Sequence, residues 1–209
     1  MELFYGLCWL ALLIAMAGDI AVSLILPAFY KGYSIPKMSI SALGNPQSPV
    51  RVPFNIWMLI EGILFLLGIP AFLNAFMDLS KGLTITAAVF IAVFAVGACI
   101  FTCFFSVNES KDVVTHASKI HGAGSVTGFM LMLFLPLLIA KLSDMNGDSA
   151  ILWISIVCFV LALITFALFV MSDKERFKGT VIANEGLWQR LNLVFMYIPL
   201  AAVAIRNIR

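Results

Sequence analysis

The chain has 209 residues, of which 62% are apolar and only 11% charged, with a formal net charge of +2. Soluble domains carry about a quarter charged residues, so this composition excludes an ordinary water-soluble domain. With no basic cluster and no basic stretch interleaved with aromatics, it also excludes nucleic-acid binding.

Six apolar runs, near residues 4–29, 54–77, 83–105, 121–140, 150–171 and 188–206, approach or reach the ~20 residues that span a bilayer core. Because hydrocarbon offers the backbone no hydrogen bonds, runs of this kind are helices. The predicted fold is all-α: one six-transmembrane-helix bundle over residues 1–209, a multi-pass protein of the cell membrane. All four cysteines (Cys8, Cys99, Cys103, Cys158) fall inside apolar runs and read as small packing residues, not as a disulfide framework or a metal site. No metal or cofactor is expected.

The first run lacks a basic leader and exceeds the apolar length of a signal peptide, so it is expected to be a retained span. It holds Gly18, Asp19 and Pro27. An acid inside a span costs several kcal/mol and is expected to face the bundle or a wet cavity, with a partner. At 1.5 Å per residue, Asp19 lies ~14 Å from the loop-1 end of its helix.

Loop 1, Tyr30 to Pro53, carries Pro36, Pro46, Pro49 and Pro53, which bias the residues before them towards extended backbone and predict a stiff, shaped lid. Leu43-Gly44-Asn45-Pro46 reads as a turn. Ser39 and Ser41 would share one side of an extended segment. The second span opens with Asn55 and Trp57, and Glu61 is expected ~10 Å below the loop-1 surface, at a depth comparable to Asp19. Gly68 and Pro70 predict a kink.

The third span has no ionisable group except two thiols and reads as scaffold. Loop 3, Ser106 to Ile120, is polar and carries Glu109, Lys111, Asp112 and His116. His116 and His121 are five residues apart, about 140° around a continuous helix, which is poor geometry for one metal. The fourth span begins with Gly122, Gly124 and Gly128 on a small-residue face suited to close helix packing, and Pro136 is expected to bend its far end. The Asp144-Met-Asn-Gly-Asp148 turn lacks the frame of a calcium loop and reads as structural. The fifth span is uniformly apolar. Loop 5, of mixed charge, leads to Gln189, Arg190 and Asn192 at the mouth of the sixth.

Alternating spans gather loops 1, 3 and 5 on one side, the odd-loop face. Both intramembrane acids lie in the half of their helices towards that face. The expected site is therefore a polar pocket floored by Asp19 and Glu61, with Ser41, Asn45, Asn55, His116, His121, Gln189 and Arg190 around it. Arg190 is either the counter-charge of an acid or an interfacial anchor. Nine Lys and Arg flank the odd loops (Lys31, Lys37, Arg51, Lys111, Lys119, Lys174, Arg176, Lys178, Arg190) against four on the other side (Lys81, Lys141, Arg206, Arg209). The positive-inside rule then turns the pocket to the cytoplasm.

The motifs Ile40-Ser-Ala-Leu-Gly44, Phe54-Asn-Ile-Trp-Met-Leu-Ile-Glu-Gly62, His116 before a glycine-rich span, and Gly186-Leu-Trp-Gln-Arg-Leu-Asn192 resemble the prokaryotic membrane family catalogued as domain of unknown function 998. More distantly, the first two spans resemble the six-helix DRAM and Sfk-type proteins, a group connected with membrane lipids. The resemblance implies a six-helix fold with shared residues (Ser41, Gly44, Asn55, Gly62, His116 or His121, Gln189, Arg190) clustered at the odd loops. It implies no activity. Relatives tend towards a basic loop 2, which implies the opposite orientation. They also tend towards an acid-proline segment where this chain has Ser106-Val-Asn-Glu109.

These residues lead to the expectation of a protein that binds a membrane lipid headgroup or small amphiphile. The alternatives are a proton-coupled transporter using Asp19 or Glu61, or a membrane-embedded lipid hydrolase built on Ser39 or Ser41 with a histidine and an acid. A plain structural partner of other membrane proteins, or a homo-oligomer, is a further expectation drawn from the small-residue face.

Overall fold

The structure, a computed structural model, describes residues 1–108 and 115–208. The loop-3 charges Glu109, Lys111 and Asp112, like Arg209, lie outside the described residues. Six helices are long and apolar enough to cross a membrane: α1 (Glu2–Phe29, its last turn 3-10), α2 (Arg51–Phe76), α3 (Lys81–Phe104), α4 (His116–Met145), α5 (Ser149–Ser172) and α6 (Glu185–Asn207). Among the described residues there is no strand. The chain is a multi-pass membrane protein, and the spans overlap the apolar runs with ends moved by two to five residues where polar caps extend the helices.

Burial sorts the spans. α6 is the least apolar and the most enclosed, whereas α5 is the most apolar and the least enclosed, so α6 is a central pillar and α5 a lipid-facing flank. Phe54, Phe65, Phe72 and Phe94 are fully buried on α2 and α3 and fill the centre. Phe65 and Phe94 meet edge to face at 5.4 Å, the geometry that ring quadrupoles favour. Asn192 of α6 donates from Nδ2 to the Ala162 carbonyl at 2.8 Å and pins α5 to the pillar.

Two departures from a straight α-helix matter. In α3, Ala95–Ile100 forms a π-helical turn; the sequence reading as plain scaffold missed it. The extra residue per turn bulges the backbone, a feature common at functional sites. Against that bulge, α4 crosses at Gly97 and Gly124, where a β-carbon built on Gly124 would stand 2.6 Å from the Gly97 carbonyl oxygen. In α4, regular bonding stops at Phe134, because Pro136 has no N–H for the Met132 carbonyl and its ring excludes that oxygen. The bend expected from Pro136 is thus a break two residues earlier. The segment beyond it, Leu135–Met145, packs along α5, while the His116–Leu133 segment scarcely touches α5.

At the opposite face, the Asp144–Asp148 turn is structural. Gly147 takes a φ of +73°, and Asp148 caps α5 by accepting from the Ile151 N–H at 3.2 Å. Asp148 also pairs with Arg206 at 2.8 Å.

Candidate functional site

Asp19 on α1 and Glu61 on α2 meet through Tyr197 of α6. The phenol donates to Asp19 Oδ2 at 2.8 Å and stands 3.5 Å from Glu61 Oε1. Its ring is held against Phe65 and Phe94 at 5.8 and 6.1 Å. Because α2 begins at Arg51 and not Phe54, Glu61 lies ~15 Å into its helix, deeper than the ~10 Å expected and level with Asp19. Glu61 is 0% exposed and Asp19 5%.

Glu61 Oε2 has no hydrogen-bond partner among the described residues, and neither has the Trp57 indole N–H. Both the Trp57 indole and the Cys99 thiol face the Glu61 carboxyl as its neighbouring donors, although neither comes within bonding range of Oε2. Cys99 is brought there by the π-turn. Gly62, one residue from Glu61, lets α2 approach the bulge: a β-carbon at that position would lie 2.8 Å from the Ala95 carbonyl oxygen.

Arg190 is no snorkelling interfacial anchor, and it acts as a counter-charge to Asp19 only through space, without a bond to it. It is 6% exposed, and its guanidinium grips main-chain oxygens. Nη1 donates to the carbonyls of Ile35 (2.9 Å), Met38 (3.3 Å) and Gly186 (2.9 Å), and Nη2 to the Ser23 carbonyl (3.0 Å) and the Tyr33 hydroxyl (2.9 Å). None of these bonds reaches a carboxylate. The planar five-donor fork suits a cage of carbonyls as a compact ammonium does not.

Loop 1 is thereby fastened to the head of α6, with the Leu187 N–H donating to the Pro36 carbonyl at 3.0 Å and the Ile40 N–H to Gln189 Oε1 at 2.7 Å. Gly186 has no room for a side chain against the Ile35 and Met38 carbonyls. The Tyr33 hydroxyl donates to Ser39 O at 2.8 Å and Met38 O at 3.1 Å. Burial pushes Tyr33 above its ordinary pKa, although the adjacent guanidinium pulls the other way.

Ile40–Gly44 is a 3-10 turn with Ser39 as its N-cap, so Ser39 and Ser41 do not lie along an extended segment. A helical turn satisfies the backbone of a buried loop better than extended chain does. Asn45 closes the turn, its Oδ1 accepting from the Gln47 N–H at 2.9 Å.

The sequence-predicted residues divide in two. Ser41, Asn45, His121 and Gln189 line a cleft of about 590 Å³ between loop 1, α4, α5 and the head of α6. Asp19 and Glu61 line a recess of about 30 Å³ below it. Ser41, Ser125, Phe129 and Gln189 belong to both, so the recess is the floor of the cleft. Arg190 stands behind the wall as its clamp. Asn55 lines neither cavity, and its Oδ1 is turned towards Gly44. His116 is exposed at the first turn of α4, while His121, five residues on, faces inward at 5% exposure.

His121 Nδ1 lies 3.0 Å from the Phe105 carbonyl. A carbonyl only accepts, so Nδ1 carries the hydrogen and Nε2 presents a lone pair 3.5 Å from Ser125 Oγ. Sequence reasoning passed over Tyr197, Ser125, Cys99 and the apolar wall of Phe129, Phe166 and Phe169. None had a signal beyond being a polar or aromatic letter in an apolar run.

No curated protein and no solved structure matches the chain. A family model, described as Protein of unknown function (DUF998), matches residues 10–206. The chain, through nearly its whole length and all six spans, therefore belongs to the DUF998 family.

Proposed function

We propose that this protein binds an amphiphile of the cell membrane, its polar head under loop 1 and its tail along the cleft between α4 and α5. The carrying observation is the two-sided lining of that cleft. Lys37, Ser39, Ser41, Asn45, His121 and Gln189 supply polar atoms near the odd-loop face, while Val126, Phe129, Phe166, Phe169 and Val170 form an apolar wall. Val126, 63% exposed, lies ~8 Å inside the apolar run that opens at residue 121, a depth at which a bilayer would offer it lipid. The cleft thus opens sideways to lipid, and its size is that of small-molecule sites.

Native mass spectrometry of protein extracted in mild detergent tests this. The wild type is expected to carry one bound amphiphile per chain and Val126→Trp, which fills the lateral mouth, to carry none. Equal occupancy in the two proteins would remove the reading.

A second reading, hydrolysis of the bound amphiphile, is favoured by His121 and Ser125. Ser125 Oγ would attack an ester carbonyl, pass its proton to Nε2, and release the alcohol, water then freeing the acid from the serine. Covalent labelling of Ser125 by an alkyl fluorophosphonate, lost in Ser125→Ala, is the expected signature.

A further inference from the structure

The recess beneath the cleft holds two acids, one of which keeps an open acceptor position. Glu61 is 0% exposed, its Oε2 has no partner among the described residues, and it lines a space of about 30 Å³. That space admits roughly one group the size of a water molecule. A buried carboxyl oxygen that no donor reaches is undersatisfied; the Trp57 indole N–H and the Cys99 thiol stand beside Glu61 but outside bonding range of Oε2, which is left as an open acceptor position. Charge adds to the demand: among the described residues no cation bonds either acid, since Arg190 acts on Asp19 only through space while its Nη groups bond carbonyls and the Tyr33 hydroxyl, and Tyr197 has one hydrogen, given to Asp19 at 2.8 Å.

The other walls select what can enter. Phe54, Phe94 and Phe129 line the recess, an aromatic surround that suits a cation better than a neutral donor, and Ser41, Ser125 and Gln189 offer further acceptors at the junction with the cleft. A primary ammonium matches on three counts: it is water-sized, has three N–H donors and carries positive charge. A trimethylated head has no N–H and is too large.

We infer that the amphiphile carries a primary amine, whose ammonium group docks in the Asp19–Glu61–Tyr197 recess while its tail occupies the cleft. This inference rests on the cleft reading above and specifies the head. It also gives the π-turn a purpose, since the bulge at Ala95–Ile100 is what sets Ala98 and Cys99 around the recess.

The test is competition for radiolabelled decylamine on purified full-length protein in non-ionic micelles, using unlabelled decylamine, decanol, decyltrimethylammonium and ethylamine. A charge-assisted bond to a buried acceptor corresponds to roughly tenfold or more in affinity. Decylamine is expected to compete about tenfold or more better than decanol and decyltrimethylammonium, and Glu61→Gln to bring it down to the decanol level. Val126→Trp is expected to weaken decylamine and decanol together.

If decanol or decyltrimethylammonium equals decylamine on the wild type, or folded Glu61→Gln binds decylamine undiminished, the ammonium inference is overturned and the cleft reading stands. If ethylamine equals decylamine, the ammonium site stands and the cleft reading falls. Absence of decylamine binding overturns the inference outright. Should Glu61→Gln fail to fold, Asp19→Asn takes its place, and the wild-type ranking decides in either case.

Discussion

The Tyr33 hydroxyl gives hydrogen to loop 1 and receives it from Arg190, so the clamp depends on a neutral phenol. Its pKa is raised in the folded protein above the ordinary value of 10.0. A raised value means the folded state holds the proton more tightly than the unfolded chain. The contribution is therefore complete below about pH 10 and lost as pH climbs through the folded value. Thermal unfolding between neutral and strongly alkaline pH is expected to show Tyr33→Phe less stable by about 1–2 kcal/mol at neutrality, with that gap narrowing above about pH 10. A constant gap across the range would detach Tyr33 from the clamp.

At this scale the sequence is informative where a residue is out of place in hydrocarbon. Asp19 and Glu61 announce themselves by the cost of burying an acid. Tyr197 does not, because a tyrosine in a span is commonplace and only the fold brings its hydroxyl to both carboxyls. Arg190 is legible as important but not in its role: its partners are carbonyl oxygens, which have no letter in a sequence.

Among the elements, α3 departs furthest from its reading. Residues 83–105 look like uniform scaffold, yet the π-turn within them shapes the recess. Nothing in Ala95-Val-Gly-Ala-Cys-Ile100 marks a bulge, since the turn is fixed by α2 and α4 packing on either side through Gly62 and Gly124. The glycines of α3 and α4 separate two causes. A β-carbon on Gly97 would lie 2.5 Å from the Gly124 carbonyl oxygen, whereas one on Gly122 meets nothing within 4 Å. Gly97→Ala is expected to destabilise by about 1–3 kcal/mol through overpacking. Gly122→Ala is expected to be neutral or to gain up to about 1 kcal/mol from helix propensity. Paired unfolding measurements check both, and equal effects would contradict the crossing described. The small-residue face expected to receive a neighbouring chain is in part consumed within the molecule, by α3.

For the whole molecule, six apolar runs sufficed to give the bundle and the side on which polar groups gather. They could not give the lateral cleft, which arises because α4 is joined to α5 beyond Phe134 and separated from it before. If the proposed reading holds, closing that gap should weaken amphiphile binding without unfolding the bundle, because the packed half of the α4–α5 pair is remote from it. Cysteines replacing Val126 and Val170, joined by a bifunctional thiol reagent, are expected to reduce decanol binding by about tenfold or more, as for a lost apolar contact surface, with the unfolding temperature unchanged or raised. Undiminished binding in the cross-linked protein would place the amphiphile elsewhere.

The grip on residues 35–38 is taken through their main chain; of their side chains, Met38 serves the loop itself, its sulfur accepting from the Ser34 N–H at 3.4 Å. A library randomised at Lys37 should therefore keep its tertiary contacts while offering new chemistry to whatever sits beneath. The portion of the protein most open to engineered selectivity is thus also the portion whose attachment is least sensitive to sequence.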